Sequence, residues 1–265
     1  MGRLQGKTAI ITGGGSGLGA AISLAYAAEG ANVVVTDVNE SAAQSIADQI
    51  GAQAIALAQD VADETRWEEV FAETQQTFGQ PHILVNNAGF NRSASIEECT
   101  LEEFRAHSTV MLDAVFLGCK VAVKYMKHSA EPCSIINMSS IAALSGIPFL
   151  PAYSAAKGGV RSLSKSIALD FKEKSYPIRC NSVHPSMIDT PILKARRPGD
   201  GVPEGGMIEI GDVGHPNDVS ALCIYLASDE SRFMTAGEYP VENGELHSYG
   251  LSARVVMQRA QAKNS

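Results

Sequence analysis

Short runs of consecutive apolar residues alternate along this chain with longer stretches whose apolar positions recur every three or four residues. The first run is Lys7–Thr12 (KTAIIT), and a helical pattern follows over Leu18–Glu29 until Gly30 stops it. Ala31–Thr36 (ANVVVT) is rich in β-branched residues and predicts a strand. The order then repeats: helix over Ser41–Ile50, strand over Ala54–Ala58, helix over Glu64–Thr77, strand over Ile83–Val85. A long helix is predicted over Phe104–Lys127, a strand over Ser134–Met138, a helix over Tyr153–Lys172 and a strand over Ile178–His184. Regular pattern resumes over Asp218–Leu226. Strands alternating with helices of this length imply βαβ crossovers, hence an α/β fold with a doubly wound parallel sheet. Uninterrupted apolar strands such as VVV and ILV suit a sheet with helices on both faces.

No linker divides the pattern, so residues 1–265 read as a single domain. The Pro/Gly-rich stretch Arg197–Gly206 marks an internal loop, about residues 190–215, and the tail after Gly250 reads as a short fraying helix. A chain of 265 residues can bury about 73% of its unfolded surface, enough for a core without staples. The net charge of −8 argues against general nucleic-acid binding, which needs a basic surface. Five cysteines (Cys99, Cys119, Cys133, Cys180 and Cys223) form no CxxC motif. Metal ligation and a disulfide framework are therefore not expected, and a reducing compartment is. No signal peptide and no membrane-length apolar run is apparent, so a cytoplasmic protein with no membrane partner is expected.

Gly13-x3-Gly17-x-Gly19 lies between the first strand and the first helix. Glycines there allow a tight turn, and a helix N-terminus offers free N–H groups to a pyrophosphate. Asp37 ends the second strand, 18 residues after Gly19. A carboxylate there can accept both hydroxyls of an adenosine ribose and repels a 2′-phosphate, which favours NAD over NADP. A strand-end acid capping the next helix is the plainer reading. Asp60-Val61 after the third strand suits an adenine edge or a turn. Asn86-Asn87-Ala88-Gly89 can line a cleft and tie neighbouring strands, or simply turn the chain.

The sharpest constellation is Ser140-x12-Tyr153-x3-Lys157. Tyr153 and Lys157 are four apart on a helix and share a face, while Ser140 closes the preceding strand. Tyrosine is a poor base at its reference pKa near 10. An ammonium about 4–5 Å away at an effective dielectric near 20 favours the phenolate by roughly 3–4 kcal/mol. Tyr153 can then take a hydroxyl proton near neutral pH, with Ser140 holding the substrate oxygen.

With these residues assembled, the sequence resembles the classical short-chain dehydrogenase/reductase family from about Leu4 to Gly244. The resemblance is carried by Thr12-Gly13-x3-Gly17-Leu18-Gly19, by Asn86-Asn87-Ala88-Gly89, and by Ser140 with Tyr153-Ser154-Ala155-Ala156-Lys157. Asn181-Ser182-Val183-His184-Pro185-Ser186-Met187-Ile188-Asp189-Thr190 adds to it. It implies a Rossmann-type sheet of about seven strands, a homotetramer, and reversible hydride transfer between a nicotinamide cofactor and an alcohol or ketone. It also implies that Gly13, Ser16, Gly17, Leu18 and Gly19 hold the cofactor's phosphates. By the same resemblance Asn87, Ala88 and Gly89 lie along the cofactor, Lys157 binds the nicotinamide ribose, Ile188 and Thr190 hold the carboxamide, and Tyr153 and Pro185 also contact the cofactor. The run Tyr176–Ser182 and the general layout are similar to bacterial hydroxysteroid and alicyclic alcohol dehydrogenases of the family.

Three positions depart from the family pattern. A catalytic asparagine in the long helix is replaced by Met111, which keeps the backbone carbonyl thought to serve a proton-relay water but loses the amide. An altered relay, not a dead enzyme, is the expectation. Pro-Gly becomes Pro185-Ser186, and a late Val-Asp-Gly-Gly becomes Val241-Glu242-Asn243-Gly244, where Asn tolerates positive φ. Ala142–Pro151 is apolar and reads as a substrate wall or as packing; Lys194, Arg196 and Arg197 read as solvated, and His184 as a structural strand-end residue. The leading expectation is an NAD-dependent oxidoreductase acting on a mainly apolar secondary alcohol or ketone, alicyclic or steroid-like. A 3-ketoacyl-thioester reductase, or an NAD-binding regulator weakened by Met111, is the alternative.

Overall fold

The computed structural model describes residues 2–191 and 213–247. Its strands are β1 (Thr8–Thr12), β2 (Asn32–Asp37), β3 (Ala54–Ala58), β4 (Ile83–Asn86), β5 (Cys133–Met138), β6 (Ile178–Pro185) and β7 (Glu238–Val241). They form one sheet in the order β3-β2-β1-β4-β5-β6-β7, every pair parallel. The chain winds outward one way from β1 and the other way from β4. A crevice therefore opens between the loops that leave these two strands.

Helices α1 (Gly17–Ala28), α2 (Glu40–Ile50) and α7 (Pro216–Ala227) cover one face. Ile22, Tyr26, Ile46, Val219 and Cys223 pack there on Val33 and Val35. Helices α3 (Glu64–Phe78), α5 (Ala114–Met126) and α6 (Pro151–Glu173) cover the other. Trp67, Phe71, Val115, Val160 and Phe171 pack there on Ile10, Val34 and Ile135. Burial on both faces explains the uninterrupted apolar strands. Local signals set the ends: Asp63 accepts hydrogen bonds from the Thr65 and Arg66 amides to cap α3, Gly79 ends it at φ +80°, and Pro151 opens α6.

The predicted Phe104–Lys127 helix differs most from the structure. It begins earlier, as α4 (Leu101–Ser108), behind a capping box of Thr100 and Glu103. A π turn over Thr109–Asp113 then joins α4 to α5. Against the expectation of no membrane-length run, Leu101–Met126 is long and apolar enough by composition to span a bilayer. In the fold it instead packs beside α3 and α6. Strand β7 was not legible in the residues alone. Most of the expected 190–215 loop, with Lys194, Arg196 and Arg197, and the tail after Gly250 lie outside the described residues.

Candidate active site

One cavity of about 820 Å³ opens at the crevice, and the loops after β1, β2, β3, β4, β5 and β6 all reach it. Gly13, Ser16, Gly17 and Leu18 form one wall. Ser16 caps α1 with no side-chain hydrogen bond, and no acidic residue lies in the first turn, so the helix N-terminus suits an anion. Gly13 and Gly17 take φ +61° and +53°, and a Cβ on Gly13 would lie 2.9 Å from the Ala88 Cα. Gly19 differs from its expected place: it lies behind the turn and off the wall. A Cβ there would come within 2.0 Å of the Gly13 carbonyl oxygen. Its absent side chain sets the shape of the turn.

Asp37 reaches the same wall from the end of β2. One carboxylate oxygen accepts the Gly15 N–H at 3.0 Å and the other the Asn39 N–H at 2.9 Å. The side chain that caps α2 is that of Asn39, so Asp37 is not the cap; it links the glycine turn to the Asn39 backbone. Asp60 and Val61 also line the cavity, and Asp60 makes a turn by accepting the Ala62 N–H at 2.9 Å. Asn87 ties β4 to β1, its amide donating to the Thr12 carbonyl at 2.9 Å, while Ala88 and Gly89 complete this wall. Pro185, Ile188 and Thr190 close the far side, with Thr190 3.4 Å from where a Cβ on Gly17 would lie.

Ser140, Tyr153 and Lys157 meet in this cavity. Ser140 follows β5 and starts a 3₁₀ turn, Ile141–Ala143, its hydroxyl oxygen accepting the Ala142 N–H at 3.1 Å. Lys157 is buried and donates to the Met138 carbonyl at 2.8 Å. Its ammonium lies 5.8 Å from the Tyr153 ring centre. Burial lowers the Lys157 pKa to about 8, so it remains mainly charged at neutral pH. Ser139 holds the helix close by donating to the Lys157 carbonyl at 2.9 Å.

The π turn carries Met111, fully buried, to the cavity beside Gly89. A Cβ on Gly89 would lie 3.2 Å from the Met111 sulfur and 3.8 Å from the Lys157 nitrogen. Of the apolar stretch before Tyr153, Ile147, Pro148 and Leu150 line the cavity. Phe149 is turned outward at φ +64°. Sequence reading missed Gln59, Asn91 and Glu245 on the wall. Glu245 accepts a hydrogen bond from Ser186, a pairing 59 positions apart that no local pattern signals.

A family model described as enoyl-(acyl carrier protein) reductase matches residues 13–245. The chain is 44% identical over 248 residues to an NADP-dependent (R)-specific alcohol dehydrogenase of Lentilactobacillus kefiri, covering 91% of this chain and 97% of that one. It is 36% identical to a 3-beta-hydroxysteroid dehydrogenase of Comamonas testosteroni, covering 92% and 97%. A crystal structure of 3-ketoacyl-(acyl-carrier-protein) reductase from Brucella melitensis, complexed with NADH, superposes with a TM-score of 0.83 at 30% identity, covering 92% and 99%.

Proposed function

We propose a specific reaction for this chain, which belongs to the short-chain dehydrogenase/reductase family and is an oxidoreductase of CH–OH groups: hydride transfer between NAD(H) and a mainly apolar secondary alcohol or its ketone. The observation that carries it is the meeting of Ser140, Tyr153 and Lys157 with the glycine turn and Asp37 in one cavity. The cradle fits a dinucleotide because glycines clear its wall and an uncapped helix end faces it. Bound NAD supplies the hydride acceptor. The chain's own residues do the rest. Tyr153 takes the substrate hydroxyl proton, and the Lys157 charge favours the phenolate that must form. Ser140 turns its hydroxyl proton to the substrate oxygen, since its own oxygen is occupied by Ala142.

Asp37 supports NAD over NADP. A 2′-phosphate would face its carboxylate, and Lys157 is the one cation among the described lining residues, engaged at Met138. The Lentilactobacillus relative is named for NADP, so the cofactor choice rests on this chain's own wall. Ile147, Pro148 and Leu150 support an apolar substrate. Exposed Leu101, Phe104 and Phe116 on α4 and α5, with Leu169 on α6, support association into a homotetramer.

The test is reduction of NAD and NADP by the purified protein with alicyclic, steroidal, short-chain and hydroxyacyl alcohols, beside Tyr153→Phe. NAD reduction with the apolar alcohols, falling about a thousandfold in the variant while NADH binding changes less than about twofold, is expected. NADP preference would overturn the Asp37 argument, and turnover surviving in Tyr153→Phe would overturn the mechanism. A sedimenting mass near the 28.0 kDa of one chain would remove the tetramer.

A further inference from the structure

Behind Ser140, on the side away from the cavity, β6 carries Ser182 and His184 on one face of the sheet. His184 is fully buried. Its Nδ1 lies 3.1 Å from the Ser140 carbonyl oxygen, and its Nε2 lies 2.9 Å from the Ser182 hydroxyl. A carbonyl only accepts, so Nδ1 carries the proton. In the neutral ring Nε2 then accepts, and the Ser182 hydroxyl gives its one proton to this nearer acceptor at 2.9 Å, the Gly237 carbonyl lying at 3.3 Å. Burial lowers the His184 pKa and favours the neutral ring against the pull of the Ser140 carbonyl and of Glu238, with Arg161 and Lys165 acting the same way as burial.

The same turn is held a second time. Arg161 reaches the Ala143 carbonyl at 3.4 Å and is itself gripped by Glu238 of β7 at 2.6 and 3.0 Å. Ser140 therefore stands at the head of a turn tied at both ends, and its carbonyl takes two bonds: the Ala143 N–H at 3.0 Å, which closes the turn, and the imidazole N–H, which ties the turn to β6. An apolar side chain could fill the space of the ring but would leave that carbonyl only its bond within the turn and none to β6.

We infer that His184 is a positioning residue for Ser140: its Nδ1–H fixes the Ser140 carbonyl and so aims the hydroxyl at the substrate oxygen. The inference rests on the reading of Ser140 given above. It separates two conservative replacements. The side-chain nitrogen of Asn reaches about as far as Nδ1 and can keep the bond to Ser140. The amide of Gln reaches about as far as Nε2 and meets Ser182 instead.

The test compares His184→Asn and His184→Gln in turnover, substrate KM, NADH affinity and melting temperature, with ¹⁵N NMR of the wild-type imidazole. The expected ring is Nδ1-protonated at neutral pH. His184→Asn keeps kcat within about threefold, and His184→Gln loses about tenfold or more, because a small misplacement of a catalytic hydroxyl is costly. NADH affinity stays within about twofold in both. An Nε2-protonated ring overturns the inference, as do equal kcat losses in the two variants or losses that simply follow melting temperature. The NMR measurement needs no turnover. A wild-type protein that binds NADH yet oxidises no secondary alcohol overturns the proposed reaction instead.

Discussion

Around the glycine turn between β1 and α1 the decisive atoms belong to the backbone. A Cβ on Gly19 would lie 2.0 Å from the Gly13 oxygen, and one on Gly13 would lie 2.9 Å from the Ala88 Cα. Around Ser140 the decisive atoms are side-chain groups, each held by a neighbour: the Ser140 hydroxyl by Ala142, Lys157 by Met138, and Arg161 by Glu238. The nucleotide end thus works through space kept clear and N–H groups left free. The catalytic end works through hydrogen bonds that fix where a few polar atoms point. Substitution should therefore fail by collision at the first and by misdirection at the second.

The largest effect expected is at the turn. Gly19→Ala puts a methyl group into backbone and should cost about 3 kcal/mol or more of stability, with about a hundredfold loss of NADH affinity. Gly158→Ala, in α6 at the other end, meets nothing within 4 Å. It should gain about 0.5–1 kcal/mol from helix propensity alone. Urea unfolding and NADH titration of both variants check the pair, and similar outcomes for the two would break the comparison.

A smaller effect is expected at Lys157. Its folded pKa of about 8 lies below the ordinary 10.5, so between these values the unfolded chain binds more protons. Stability must then rise as pH climbs from about 8 through 10.5, and at pH 7 the buried ammonium costs its full penalty, about 3 kcal/mol. Losing the bond to Met138 offsets about 1 kcal/mol of that. Lys157→Met should therefore abolish turnover yet stabilise the fold by about 1–2 kcal/mol at pH 7, with the gain shrinking toward pH 10.5. Unfolding curves at the two pH values decide it, and a less stable variant at pH 7 would contradict the argument.

The smallest effect is at Met111. Met111→Asn restores an amide beside Gly89 and should raise kcat about two- to fivefold, on the order of 1 kcal/mol at most, without moving NADH affinity. Lower turnover would sink the idea that Met111 slows proton relay.

Much of this was legible in the chain. Alternating apolar runs gave the strand and helix order, because a sheet covered on both faces demands continuous hydrophobic strands. The Asn87 tie between β4 and β1 and the positive φ of Asn243, 50°, also followed from residue type. Strand β7 escaped because Glu238-Tyr239-Pro240-Val241 is an edge strand carrying Pro and a charge, with no buried alternation. The start of α4 could have been read from Thr100-x-x-Glu103, a capping-box spacing. The contact of His184 with a carbonyl 44 positions away has no local signal in the residues. Nothing local marks Thr109–Asp113 as a π turn, since its residues are ordinary helix formers or neutral ones.

That π turn has a consequence for register. Each residue advances an α-helix by about 100°, and a π turn absorbs one residue more than an α turn does. The stretches before and after it therefore stay in phase, as though one residue were not counted. Counted as scaffold, Leu101–Met126 is one residue shorter than it is as sequence. The turn that absorbs the extra residue is the one that sets Val110 and Met111 on the cavity wall.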